Sequence, residues 1–170
     1  IPTTMDDLDN VMTWVNDPEV TAYFAKIGHI TRSYEEGYLE KLLASKTDIV
    51  FSILVDGDYA GQCSINQIDH TSEKGRIFMV LTRKYQGRGL ARTVLNHLLH
   101  EAYMRYDLYK LWLIVRQDNE KGRYLYRRCG FSQLCVLENE YKVDGVRLNM
   151  IMMELQKPDY IRWHKPQTSI

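Results

Sequence analysis

No stretch of these 170 residues approaches the ~20 consecutive apolar positions that cross a bilayer, and nothing at the start resembles a cleaved leader. A membrane-spanning role is not expected. Neither sign of charge prevails, since 22 Lys and Arg face 22 Asp and Glu for a formal net charge of zero. That balance argues against a nucleic-acid partner and against a polybasic membrane anchor, so a local basic cluster must answer to a local anion. Cysteine is scarce. Cys63, Cys129 and Cys135 form no Cys-x-x-Cys pair and cannot all pair within the chain, which points to a reducing compartment and a cytoplasmic location. Internal repeats and low-complexity segments are also missing. The length suits one domain that buries roughly two-thirds of the surface its unfolded chain exposes. We delimit it as 1–155, with 156–170 read as a tail, an arm or loosely ordered. The sequence opens on Ile1 rather than on a methionine, which leaves open a few leading residues and, with them, a first strand.

What the sequence does have is one glycine-bearing loop, Tyr85-Gln86-Gly87-Arg88-Gly89-Leu90-Ala91-Arg92, between an apolar strand and a long amphipathic helix. Two glycines one residue apart tolerate the positive φ angles that turn successive N–H groups outward. The helix that follows adds its dipole and its unpaired first-turn donors, so an anion such as a pyrophosphate can be held by main chain. Arg83, Lys84, Arg88 and Arg92 add cationic side chains around the same spot. Alone, Gly-x-Gly is a weak signal, because many strand-to-helix turns use glycine only for geometry. It is not a Walker loop, since no Gly-Lys-Ser/Thr follows, and Arg92 stands where a dinucleotide fingerprint needs a small residue.

Elsewhere the pattern reads as follows. Thr4 and Asp7 open a first helix with Leu8, Val11, Met12 and Val15 on one face, ending at Asn16-Asp17-Pro18. Glu19 to Thr31 is aromatic and aperiodic, and is read as a connection rather than a loop over a site. Ser33 is the expected cap of a second helix through Leu43. Ile49 to Val55 and Tyr59 to Ile68 read as strands about a turn at Asp56-Gly57-Asp58. Gly75 to Leu81 runs into the glycine loop, and the helix after it buries Leu90, Val94, Leu95, Leu98, Leu99, Ala102 and Tyr103. Lys110 to Val115 completes a βαβ unit with parallel strands. His97 and His100 lack a third partner, so no metal is expected. Asn119 caps a short helix that Gly130 stops, and two final strands meet at Asp144-Gly145.

Gln86-Gly87-Arg88-Gly89-Leu90-Ala91, followed by Asn119-Glu120-Lys121 and by Leu125-Tyr126-Arg127-Arg128-Cys129-Gly130-Phe131, resembles the GNAT acetyltransferase superfamily. The likeness spans roughly Phe51 to Leu155. Trp14, Asn16, Asp17, Pro18 and Glu19 resemble the branch that holds spermidine N-acetyltransferases and ribosomal-protein alanine acetyltransferases. The resemblance implies an α/β (α+β) fold, with a mixed, mostly antiparallel sheet, helices on both faces and a central parallel pair splayed to admit acetyl-CoA. It implies that main chain of Met79, Val80 and Leu81 pairs with the pantetheine arm. Gln86, Gly87, Arg88, Gly89, Leu90, Ala91 and Arg92 would hold the pyrophosphate, with Asn119 and Lys121 further along. Members often dimerise through their C-terminal strands, which leaves a homodimer open to this chain.

The implied chemistry is attack by an amine on a thioester, with a main-chain N–H near Leu81 meeting the oxyanion. Tyr126 is the family's general acid; read without the family, it would pass for core. Cys129, at a helix C-terminus, is no nucleophile. The spermidine enzymes carry a glutamate where Arg76 stands here. Asp69, His70, Glu73, Glu138 or Glu140 would then have to serve as base through water. Arg76, with Glu73, becomes a substrate-contact candidate. An arginine in the acceptor pocket favours a small-molecule amine that also bears negative charge, such as a nucleotide-linked amino sugar. Polyamine or protein N-terminal acetylation stays open, as do a non-catalytic acyl-CoA-binding module and a nucleotide-dependent oxidoreductase.

Overall fold

The computed structural model of the chain describes residues 1–24 and 28–164. Asp7 receives the Thr4 main-chain N–H at 3.0 Å, and a single 3-10 turn leads into α1, Leu8–Val15. Helix α2, Arg32–Leu43, is capped by Thr31, whose hydroxyl accepts the Tyr34 N–H at 3.3 Å, and not by Ser33 as expected. Both residues offer the right oxygen; the extended backbone at Thr31 decides between them. Strands β1, Ile49–Val55, and β2, Asp58–Asp69, meet at Asp56 and Gly57, both at positive φ, which is the twist a two-residue hairpin needs. Then come β3, Lys74–Leu81, and α3, Leu90–His100, continued by a π turn over Glu101–Arg105. After β4, Lys110–Arg116, lie α4, Glu120–Arg128, and the hairpin of β5, Ser132–Val143, and β6, Val146–Gln156.

The six strands form one sheet in the order β1-β2-β3-β4-β6-β5, and only β3 and β4 run parallel. At the outer side of β1, Pro2 bridges to Phe51, and Ser52 donates its N–H to the Ile1 carbonyl at 2.9 Å. One sheet face is buried by α3, through Leu95, Leu98 and Leu99, and by the π turn after it, through Ala102 and Tyr103. The other carries Val11, Trp14, Val20 and Val80, joined by Phe24, Tyr59 and Phe78. Helices on both faces follow from the sequence: β3 alternates Ile77, Met79 and Leu81 toward α3 with Phe78 and Val80 toward α1.

Two expectations need correction. The stretch after Gln156 is not a loose arm, since Lys157–His164 forms a helix, α5, seated by Tyr160 against Tyr103 with ring centroids 4.7 Å apart. Pro158 lies in its first turn, where a missing N–H costs nothing. Pro166 lies outside the described residues. The Glu19 to Thr31 segment is more than a connection. Asn16 clasps it through both amide atoms onto Ile30, and Arg116 donates to the Ala22 carbonyl at 3.0 Å, which holds Tyr23 and Phe24 over the sheet. Residues 25–27 of that segment lie outside the described residues.

Gly61 sets how closely β2 approaches β3. Its φ is +151°, and a Cβ there would stand 2.2 Å from the Val80 carbonyl oxygen. Gly61→Ala is therefore expected to destabilise by about 2 kcal/mol or more, read as a lowered urea midpoint.

Candidate active site

After β3 the chain makes one 3-10 turn, Arg83–Tyr85, and then the glycine loop. Gly87 and Gly89 have φ of +71° and +77°. Nothing lies within 4 Å of a Cβ built at either, so backbone conformation and not crowding calls for glycine there. The N–H groups of Gly87, Arg88 and Gly89 make no main-chain hydrogen bond among the described residues, and Gly89, the N-cap of α3, offers no side chain to its first turn. A row of free donors at a helix start can receive an anion. The cationic surround is smaller than expected. Arg83 is paired with Glu19 at 2.8 Å and Lys84 with Asp58 at 2.8 Å, leaving Arg88, folded over the Tyr85 ring, and Arg92. Gln86 turns inward and ties the loop to β3 through the Leu81 carbonyl at 2.9 Å.

The parallel pairing of β3 with β4 stops early. Lys74, Gly75 and Arg76 pair with Lys110, Leu111 and Trp112, and beyond them the two strands part although β3 runs on to Leu81 and β4 to Arg116. On its far side β3 stays paired to β2 as far as Leu81, and β4 stays paired to β6 as far as Arg116. The main-chain groups that face one another across the gap are therefore open to a ligand with an extended, hydrogen-bonding arm. The gap holds a cavity of about 310 Å³ whose walls include Phe78, Met79, Ile114, Asn119 and Tyr126.

The helix carrying Tyr126 is fixed at both ends. Asn119 accepts the Gly122 N–H at 2.9 Å. At the other end the Phe131 N–H reaches the Tyr126 carbonyl at 3.0 Å and the Gly130 N–H that of Arg127 at 3.1 Å, with Gly130 at φ +97°. This is a Schellman ending, and its usual apolar contact is the edge-on packing of Phe131 against the Tyr126 ring, 5.9 Å between centroids. Tyr-x-x-x-Gly-Phe is thus a local device that aims a phenol at the gap. Burial, and secondarily the nearby Cys129 sulfur, push that phenol up to about 12. Cys129 is buried and its thiol is pushed up too, so it stays protonated.

A second cavity, about 620 Å³, lies between α2 and the α1 face of the sheet and shares Phe24, Arg76 and Phe78 with the first. Two carboxylates line it. Glu35 is 7% exposed, makes no salt bridge or side-chain hydrogen bond among the described residues, and its carboxyl is raised by burial alone. Asp48 is different: burial pushes it up, but Ser45, Asn66, the Gln67 N–H and Thr47 donate to it and together hold it low. The buried Gln62 Nε2, on the same wall, has no hydrogen-bond partner among the described residues. Arg76 does face this cavity; it stacks on Trp112, 5.4 Å from the ring centroid, and forms no salt bridge among the described residues.

Of the residues expected from sequence, Met79, Asn119, Tyr126 and Arg76 meet at the gap, and the glycine loop follows the end of β3 and leads into α3. Lys121 is exposed on the first turn of α4. The expected bases do not come together. Asp69 caps its own turn through the Thr71 and Ser72 N–H groups, Glu73 sits exposed at that turn with φ +51°, and His70, Glu138 and Glu140 line neither cavity. Glu35 and Asp48 were missed, although an acid one turn before the buried Leu39 is a readable sign of a carboxylate turned inward. Among the described residues no cluster of His, Cys, Asp and Glu could hold a metal.

The family described as Acetyltransferase (GNAT) domain matches residues 1–132. Spermidine N(1)-acetyltransferase of Escherichia coli K12 is 27% identical over 164 residues, covering 96% of this chain and 88% of that protein. The [ribosomal protein bS18]-alanine N-acetyltransferase of the same organism is 37% identical over 71 residues, 42% of this chain and 47% of that protein. Among solved structures, spermidine N-acetyltransferase from Vibrio cholerae in complex with CoA and spermine superposes with a TM-score of 0.89 at 20% identity, covering 95% of this chain and 96% of that one.

Proposed function

We propose, on the premise that this chain belongs to the GNAT family and is an acyltransferase drawing on acetyl-CoA, that its acceptor is a linear polyamine bound in the larger cavity. The observation that carries the reading is Glu35, buried in that cavity with no salt bridge or side-chain hydrogen bond among the described residues, with the half-buried Asp48 as a second carboxylate on the same wall. Buried charges are kept only where something neutralises them, and a second or third ammonium of a polyamine is that counter-charge. A relative alike over nearly the full length acts, by its name, on spermidine. An amine bearing a phosphate, which Arg76 alone would favour, meets two carboxylates of its own sign in the same space.

The donor fits the other cavity. The free N–H groups at the glycine loop suit its diphosphate, with Arg88 and Arg92 beside them, and the open edges of Met79, Val80 and Leu81 suit its amide-bearing arm. It supplies an activated acetyl group as a thioester. Across the gap, the residues of this chain have three tasks. The acceptor nitrogen must lose its proton and meet the carbonyl carbon; a new C–N bond forms as the C–S bond breaks. A main-chain N–H near Leu81 faces the oxygen on which charge builds. The Tyr126 hydroxyl donates to the departing sulfur, and the proton released by the nitrogen makes up the count.

Thiol release from acetyl-CoA across a panel of polyamines, amino sugars, amino acids and peptide N-termini tests the reading. Spermidine or spermine should turn over at least about tenfold faster, in kcat/KM, than any monoamine, because a second charged contact adds roughly 1.5–3 kcal/mol. An amino sugar or a peptide preferred over every polyamine would overturn it.

A further inference from the structure

The reaction needs a neutral nitrogen, yet the ammonium of an alkylamine ionises near 10, and among the described residues no carboxylate lines the gap between β3 and β4. The group placed where the two cavities join is a cation. Arg76 is held there by the face of Trp112 and not by an acid, so its charge is left uncompensated by any salt bridge among the described residues. Its position is fixed from below as well: Arg76 pairs in register with Trp112 and with Asn66, and Trp112 lies opposite Glu154, whose charge is taken by Lys110.

We propose that Arg76 activates the acceptor by repulsion: its guanidinium disfavours an ammonium at the junction, so that the nitrogen nearest the thioester is bound in its neutral form while Glu35 and Asp48 hold the charged nitrogens behind it. The inference rests on the polyamine reading and adds to it a rule for which nitrogen reacts. A like unit charge within about 5–6 Å lowers an ammonium's ionisation by about one pKa unit or more, which is tenfold or more in the reactive form. The neighbours that could oppose this are few. From α2 come Glu35 and Tyr38, and from the connection before β1 comes Asp48; all line the larger cavity, where they act on the trailing nitrogens, while the exposed Lys41 on that wall has the sign of Arg76 and does not oppose it. From β4 comes Arg116, already bidentate to Asp118 at 3.0 and 2.6 Å. Tyr23, Tyr126 of α4 and Tyr141 of β5 contribute phenols. Arg76 is therefore a positioning and activating cation in this scheme, and it transfers no proton itself.

The kinetic signature is specific. The constant kcat/KM reports free enzyme and free amine, whose ionisation the protein does not alter, whereas kcat reports the bound complex. In Arg76→Gln, assayed with spermidine at saturating acetyl-CoA, kcat at pH 7.5 should fall about tenfold and KM should fall with it. Their ratio should hold within about twofold, and the rising limb of kcat should move up by about one pH unit. Arg76→Lys keeps the charge and should keep the wild-type limb. Calorimetry in buffers of different ionisation heat gives an independent reading: with CoA in place of the acetyl donor, spermidine binding should release fewer protons in Arg76→Gln than in wild type. A kcat limb and a proton release unmoved in Arg76→Gln, whatever happens to KM, would overturn the inference while wild-type turnover of spermidine left the polyamine reading intact. Wild type that acetylates no polyamine would remove both.

Discussion

Tyr126→Phe is expected to lower kcat about a hundredfold, with the dissociation constant for CoA changed by less than about twofold. The substitution removes one oxygen and keeps the ring, so the edge contact with Phe131 and the helix ending built on Gly130 survive. What is lost is a donor aimed at the gap, which makes no side-chain hydrogen bond of its own among the described residues and is thus free for a ligand. The phenol is pushed up to about 12, mainly by burial, while a free thiol ionises near 8.5. Complete transfer of the phenolic proton to the departing sulfur is uphill by that difference, so the dominant effect is a hydrogen bond that strengthens as charge builds on sulfur. That argues for the lower part of the range that general acids span. It also fixes the pH dependence. A group ionising near 12 remains protonated through pH 10, so kcat should show no alkaline loss attributable to Tyr126 in that span. Single-turnover thiol release, which isolates chemistry from product departure, is the measurement. Turnover of Tyr126→Phe within about threefold of wild type would take the residue out of the reaction.

The parts of this protein that sequence made legible are those whose physics is local. Glycine at positive φ before a helix, Asn119 capping three residues ahead, the Schellman ending at Gly130, and the Asp-Gly hairpins are each decided within a few residues. The parallel pair was legible too, because strand, helix and strand in succession leave few ways to close. What escaped depends on distant partners. Arg83 and Lys84 look like part of the anion site until Glu19 and Asp58 arrive from other elements. α5 forms because Tyr160 finds Tyr103, on the π turn that continues α3. The acceptor depends on distant partners in the same way: Arg76 taken alone favours an anionic amine, and Glu35 and Asp48 join it only across the space between α2 and the sheet. A charge in sequence carries no sign of its neighbours in space.

Glu35→Gln should raise KM for spermidine about tenfold, leave kcat at saturation nearly unchanged, and make the protein more stable at neutral pH. The two effects have one cause. Glu35 is buried without a partner among the described residues, and burial raises its carboxyl above the ordinary 4.5. A raised carboxyl favours folding while protonated; that contribution is complete below the unfolded value and is lost as pH climbs through the folded one. At pH above its raised value the ionised side chain is therefore a cost of folding, offset when an ammonium binds, and the amide avoids it. The difference in Tm between variant and wild type should shrink as pH is lowered toward 4.5, and saturating spermidine at pH 7 should raise wild type more than the variant. Asp48 in the same cavity supplies the contrast. Its donors hold it below the usual carboxylate range, so its contribution is present above the unfolded value and lost as pH falls through the folded one. Asp48→Asn should accordingly weaken the fold at neutral pH where Glu35→Gln strengthens it. Scanning calorimetry of the two variants separates a carboxylate whose charge only the ligand meets from one whose charge the fold also uses. Destabilisation by Glu35→Gln at pH 7 would mean that its charge is met from within the protein, and the polyamine reading would lose its main support.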